Sequence, residues 1–428
     1  MLKRIIHPST FLVTFIALLH LNFSKPQRRH LLRTAEAVIV CEGRKTLANL
    51  YRQWVEAPDV SAVADFFRVS PWEAEEVDRA LGAFVIADML RRAKEGGAAP
   101  VIWVSIDDSA TRKDKDTHAL EAVDWIFDHS ASGKGRTAYC KGVVHVTLRV
   151  QIGPYSYPFA WRLYLREKTV RRLNRRRPKE KRLRFKSKYR LAREMLEELR
   201  ALLPEGYTVY VLFDRWYGSG KLIKFIRRQG WHVICALKRN RTLNGIRVDQ
   251  WDQRLRHKRY TRVRVPAADG TTRTYLVRSV QGQLRGVPFD VCVLISRRHH
   301  RDKHPKYFLC TDLTLTAQTA LTWYGNRWSL EVDYWYLKRL LGLGDFRMQA
   351  YEAIEKWYAV LHLVLAFLQW RLYEAWERGQ PLRSLADVIR QHRAEHARKV
   401  LISACREAIQ MGNIEPVLQR FITAPVFG

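Results

Sequence analysis

Four polar side chains, Tyr324, Arg327, Glu331 and Lys338, stand in an unusually apolar run at residues 322–341 (TWYGNRWSLEVDYWYLKRLL). Read as one helix at about 100° per residue, they share a single arc of about 60°. The other positions, among them Trp323, Trp328, Leu330, Val332, Trp335 and Leu337, are apolar almost all round, the pattern of a buried helix. A carboxylate there needs a counter-ion, a metal or a ligand phosphate. Glu331 beside two cations and a phenol therefore has the composition of a site for phosphate and metal chemistry. The alternative is a buried Arg327–Glu331 ion pair at i, i+4 with Lys338 reaching to solvent. Asp333 points nearly opposite and is the weaker candidate.

Such a site needs more acids, and two strand patterns upstream end in them. Residues 101–106 (VIWVSI) read as a buried strand followed by Asp107, Asp108 and Ser109, and residues 207–213 (YTVYVLF) as another followed by Asp214. Between them lie a hairpin over 143–153 and 155–166, turning near Gly153-Pro154, and a helix over 187–203. A helix over 219–229 and a strand over 231–237 follow. This order is that of an RNase H-like domain, whose first and fourth strands lie side by side and bring their acids to one edge. Residues 240–311 show short β-like runs and no helical period. Residues 351–377 read as a long apolar helix packing on the one that carries Glu331, and 382–427 as a helical amphipathic tail, either a dimerisation surface or a cap on the core.

Charge narrows the partner. The 428 residues carry 75 Lys and Arg against 42 Asp and Glu, a net charge of +33, which favours a polyanion, with nucleic acid first. Residues 168–190 are densely basic, with Glu180 the only acid, and read as a loop tethering backbone phosphate. The N-terminal region, 1–94, reads as short helices with basic clusters (Lys25, Arg28, Arg29, Arg33; Arg44, Lys45, Arg52), suited to DNA binding. Residues 95–100 (EGGAAP) are a linker. The six cysteines are scattered without a C-x-x-C pair, so a cysteine zinc site is not expected and the thiols are expected to be reduced. The apolar run 11–21 (FLVTFIALLHL) is broken by His20 and followed by no small-x-small cleavage motif; it is expected to be a buried helix rather than a signal or membrane segment.

The spacing Tyr324-x2-Arg327-x3-Glu331-x6-Lys338 resembles the Tyr-Arg-Glu-Lys signature of bacterial insertion-sequence transposases with an Asp-Asp-Glu triad. The resemblance implies an α/β fold: an RNase H-like mixed sheet flanked by helices, interrupted by a β-rich insertion, with a helical N-terminal region and a helical C-terminal tail. It divides the chain into a catalytic core at 101–239 and 313–378, the insertion at 240–312 and the tail at 379–428. It implies that Asp107, Asp214 and Glu331 are catalytic and hold Mg²⁺, two ions, with Mn²⁺ able to substitute. Asp107 is preferred as first acid because Asp-x-Ser/Thr is the family's usual form, and Asp108 stands as the alternative. Tyr324, Arg327 and Lys338 would bind DNA phosphate. The implied activity is cut-and-paste transposition through a hairpin end, acting on terminal inverted repeats and target DNA, with a dimer in the synaptic complex and a cytoplasmic, nucleoid-associated location. Trp328 and Trp335 are expected to be core tryptophans, with stacking on a flipped base as the alternative. Competing readings are a transposase-derived DNA-binding protein without catalysis, another RNase H-like metal nuclease, and a basic secreted or membrane-surface protein.

Overall fold

The computed structural model describes residues 3–57, 59–128, 131–132, 137–267 and 270–422. Residues 423–427 of the expected helical tail lie outside the described residues. The chain opens with helices α1 (Thr10–Leu18), α2 (Lys25–Val40), α3 (Leu47–Tyr51), α4 (Val60–Arg68) and α5 (Ala74–Glu95). The apolar N-terminal run forms α1, capped by Ser9 and burying Leu12, Phe15 and Ile16. No helix among the described residues is long and apolar enough to cross a membrane. At the start of α2, the Ser24 and Gln27 side chains each accept the other's backbone N–H, a capping box.

There follow β1 (Val101–Arg112), β2 (Asp124–Phe127), β3 (Tyr139–Ile152), β4 (Tyr155–Tyr164), α6 (Glu167–Asn174), α7 (Lys188–Leu202), β5 (Thr208–Phe213), α8 (Gly220–Arg228) and β6 (His232–Ala236). The β3–β4 hairpin turns at Gly153, whose φ of 53° suits glycine. Then come β7 (Thr242–Leu243), β8 (Ile246–Arg247), α9 (Val248–Arg254), β9 (Thr261–Pro266), β10 (Thr272–Gln283), β11 (Asp290–Arg297) and β12 (Lys306–Cys310). Helices α10 (Ala317–Gly325), α11 (Trp328–Arg339), α12 (Tyr351–Glu377), α13 (Leu385–Met411) and α14 (Glu415–Phe421) complete the described chain.

The main sheet is mixed, in the order β2-β3-β1-β5-β6-β12-β11-β10-β9, with β4 also paired to β3. Strands β1, β5 and β6 run parallel, and β1 lies beside β5 as an RNase H-like order requires. The β-rich insertion does not stand apart: β12 pairs with β6, and β11, β10 and β9 continue the same sheet. Helix α9 lies within it, too short to show a helical period. The basic run 168–190 is likewise not a plain loop, since most of α6 falls in it and buries Thr169, Val170 and Leu173.

Two apolar clusters sandwich the sheet. In β5, Val209, Val211 and Phe213 enter the larger one, with α1, α2, α5, α7, α8 and α12, while Tyr210 and Leu212 enter the smaller one under α10. That alternation is the period of two expected of a strand covered on both faces. The N-terminal helices are part of this larger core. Arg92 on α5, fully buried, ties it to α12 through Glu374 at 2.7 Å and to its own turn through Asp88 at 2.7 Å.

Candidate active site

Strand parity decides which acids can meet. On β1, Ile102, Val104 and Ile106 belong to the larger cluster, whereas Val101 and Trp103 pack against the smaller one. Asp107 therefore continues the α10 face and Asp108 the opposite face. Asp214 follows Phe213 and has the parity of Tyr210 and Leu212, so it also lies on the α10 face. The parallel β1–β5 pairing ends at Ile106–Phe213, which leaves Asp107 and Asp214 side by side where β5 departs. The expected strand end after Ile106 is corrected: β1 runs on to Arg112, because β3 stays paired with it as far as Gly142.

The expected single helix at 322–341 is also corrected. It breaks at Asn326 into α10 and α11, through a tight turn in which Asn326, Arg327, Ser329 and Leu330 each donate to the carbonyl three residues back. The break sets Arg327 at the mouth of the acidic pair. Its Nη1 donates to Asp107 Oδ2 at 2.6 Å and its Nη2 to Glu331 Oε1 at 2.6 Å. Burial pushes the Asp107 carboxyl up to about 7, with the Asp214 charge adding to the rise and Arg327 opposing it. The Oδ1 of Asp214 accepts from the backbone N–H groups of Trp216 (2.8 Å) and Tyr217 (3.3 Å), which fixes its carboxylate on the loop.

The other signature residues flank this pair. The Lys338 Nζ donates to Ser109 Oγ at 2.7 Å, so an otherwise exposed lysine reaches β1 with its tip. Tyr324 packs edge-on to Phe308 at 4.9 Å beneath the Arg327 guanidinium, and burial pushes its phenol up to about 12. Asp108 is engaged on the far face by Lys188 Nζ at 2.6 Å and Tyr217 OH at 3.0 Å. Lys188 and Tyr217 were not singled out from sequence, although Tyr217 stands three residues after Asp214, within reach of an acid-bearing loop. Asp333 is buried against Arg149, as its position opposite Glu331 implies.

One expectation about this helix fails. Trp328 and Trp335 are each 51 % exposed and, with Val332, form an apolar stripe facing solvent, not a core. An all-round apolar pattern does not distinguish a buried helix from one with an exposed aromatic face.

The acids do not form one tight donor set. Among the described residues, the one group of three or more His, Cys, Asp and Glu with ligand atoms all within 4.8 Å is Glu36, His392 and His396. Arg327 instead bridges Asp107 and Glu331. Even so, two neighbouring carboxylates whose charges oppose each other in a half-buried notch call for positive charge, and hard oxygen donors of this kind suit a divalent cation. Arg327 supplies a positive charge at that place.

A solved structure of a piggyBac transposase synaptic complex with hairpin DNA is similar to 97 % of this chain and 83 % of its own, at 10 % identity and a TM-score of 0.48. No curated protein matches the chain. The family model described as DDE superfamily endonuclease matches residues 18–285, a span that holds Asp107 and Asp214 and ends before Glu331. With more than half of its length matched, the chain belongs to the DDE superfamily endonucleases.

Proposed function

We infer that the chain is a DNA transposase that binds the ends of an insertion sequence, cuts them and joins them to target DNA through a hairpin end. The observation that carries this is the pairing of Asp107 and Asp214 on one sheet face, with Glu331 held to Asp107 through Arg327. Asp107, Asp214 and Glu331 are the residues that would hold divalent metal, Mg²⁺ in our reading and two ions, with Mn²⁺ able to replace it. When bound, such ions activate an attacking oxygen and stabilise a leaving one in phosphodiester cleavage and transfer.

The chain's own groups orient the DNA. Arg327 neutralises two acids and is also a planar donor fork suited to phosphate, so it is the group that trades carboxylate for the DNA backbone. Lys338 adds a second cation at β1, and Tyr324 lies beneath the guanidinium. Trp328 and Trp335 offer exposed faces for a base extruded at the hairpin. Further out, the basic run supplies Arg172, Arg175, Arg176, Lys181, Arg182 and Arg184 to the lining of a cleft of about 1380 Å³ that also holds acids such as Glu121, Glu198 and Glu352, and these cations are the ones that would meet duplex phosphate. Lys25, Arg28 and Arg29 are additional backbone contacts from α2. Two chains would pair two element ends in a dimeric complex, at the nucleoid.

The test is cleavage of a labelled duplex carrying the element's own end, with Mg²⁺, by the native chain and by Glu331→Ala. Specific nicking followed by a hairpin product, both absent from the variant, is the expected result. A second reading, a DNA-binding protein without catalysis, is favoured by the Arg327 bridge that occupies two of the acids. Specific binding with no cutting even in Mn²⁺ would select it.

A further inference from the structure

Far from the acidic notch, three ligand-type side chains converge inside the helical part of the molecule. Glu36 on α2 is wholly buried, and His392 and His396 on α13 are 4 % and 1 % exposed. Both imidazoles present Nε2 to the same carboxylate oxygen, Oε1 of Glu36. The spacing i, i+4 in the run His392-Arg393-Ala394-Glu395-His396 puts both rings on one helix face, as in helical zinc-binding motifs.

The surroundings hold these donors in place. The second oxygen of Glu36 accepts the backbone N–H of Ser9, the cap of α1, at 3.0 Å. The His392 ring stands edge-on to Phe367 of α12 and lies 4.9 Å from the His396 ring. Arg393, between the histidines, turns away to the carbonyls of Ile39 and Cys41. Glu395 accepts from Gln391 on the more exposed side of α13 and is no part of the cluster.

We propose that Glu36, His392 and His396 form a structural metal site for a first-row transition ion of the zinc type, clipping α13 to α1 and α2. The donor set supports that class. Two imidazole nitrogens and one carboxylate oxygen are borderline ligands that select Zn²⁺ or its neighbours over Mg²⁺, which takes oxygen donors. Donors about 2.0–2.2 Å from one ion lie roughly 3.3 Å apart, so the two imidazoles, here in direct hydrogen-bond contact with Glu36 Oε1, would draw back slightly to admit the ion between them. The Ser9 N–H is the outer contact that orients a ligating carboxylate. The burial of all three side chains fits a structural role. The ion would join residues 356 and 360 positions apart, so its binding energy becomes folding energy for the C-terminal helix.

The experiment uses the full chain, untagged, carrying Asp214→Ala to weaken metal binding at the acidic notch. Metal content after dialysis against metal-free buffer is measured by mass spectrometry, with and without the further change His396→Gln, which keeps a donor toward Glu36. About one zinc per chain is expected, falling below about a tenth of that in the double variant. Chelation should lower Tm by several degrees and added Zn²⁺ should restore it, and Co²⁺ should give visible absorption bands in the parent that the double variant lacks. A natively folded parent with no retained metal and a Tm indifferent to chelator and Zn²⁺ would overturn the proposal and leave an unmetallated Glu–His–His clamp. Full metal retention by a folded double variant would overturn it equally, because the ion would then lie elsewhere.

Discussion

Glu331 and Asp333 stand two residues apart on α11, and each faces an arginine, yet the two pairs do different work. Asp333 is buried and meets Arg149, which is itself held by the Ser156 hydroxyl (2.8 Å), the Ser156 carbonyl (3.1 Å) and Gln369 (3.3 Å). Every partner there belongs to the core, on β3, β4 and α12. Glu331 is 36 % exposed, and its arginine is shared with Asp107 across the notch. One pair is closed on itself; the other is a solvent-open bridge between two acids. Residue type alone does not separate a core ion pair from one open to a ligand, but solvent access and the identity of the third partner do.

The sharpest way to break this contrast is to delete each acid. Glu331→Ala or Asp214→Ala should reduce DNA cleavage by about 10³-fold while leaving DNA affinity within about twofold, because affinity rests on Lys and Arg contacts elsewhere. Cleavage assays and gel-shift titrations on the same preparations would decide it. Normal cutting by both variants would dismiss the assigned triad. Asp333→Ala should do the reverse, destabilising the fold by about 3–5 kcal/mol in urea unfolding because it leaves Arg149 buried without its counter-charge. Replacing both partners by apolar residues should recover most of that loss, and a small effect of Asp333→Ala alone would erase the distinction between the two pairs.

Proton linkage gives a finer test. The Asp107 carboxyl, raised to about 7, keeps a proton in the folded chain that the unfolded chain releases near pH 4. Stability of the metal-free protein should therefore decline as pH rises from about 4 to about 7 and level off above that, and Asp107→Asn should flatten this slope. Denaturant midpoints at half-unit pH intervals would measure it; an unchanged slope in Asp107→Asn would mean that Asp107 is not the group responsible. The smallest expected effect is that of Asp108→Asn. It loosens Lys188 and Tyr217 on the far face and should change cleavage by less than about tenfold, whereas Asp107→Asn should abolish it. The opposite ranking would make Asp108 the first acid.

Much of this site could be read before any coordinates, because strands and acids leave local marks. The runs ending at Asp107 and Asp214 are apolar, short and bounded, and the adjacency of their strands follows from the order of elements. What could not be read depends on partners far away in sequence. Lys188 meets Asp108 across 80 residues, and Arg327 meets Asp107 across 220. The extension of β1 to Arg112 was hidden because its last residues, DDSATR, break apolar alternation where the strand borders the notch. The break in the signature helix was marked by Gly325-Asn326, a dipeptide that ends helices more often than it continues them. The exposed tryptophans were misplaced because an exposed aromatic stripe has the same composition as a core face.

The sheet order has a consequence for how the protein is made. Strand β12 lies between β6 and β11, so the β6 edge stays unpaired until the whole insertion has been synthesised. The helices carrying Arg327 and Glu331 follow later still, and the backbone of Lys3 is secured only when its N–H donates to the Phe421 carbonyl at 2.8 Å. A nascent chain leaving the ribosome thus carries Asp107 and Asp214 before Glu331 is made, and Lys3 before its partner Phe421. In such partly made chains the open β6 edge is the place where strand-to-strand association with another chain would begin.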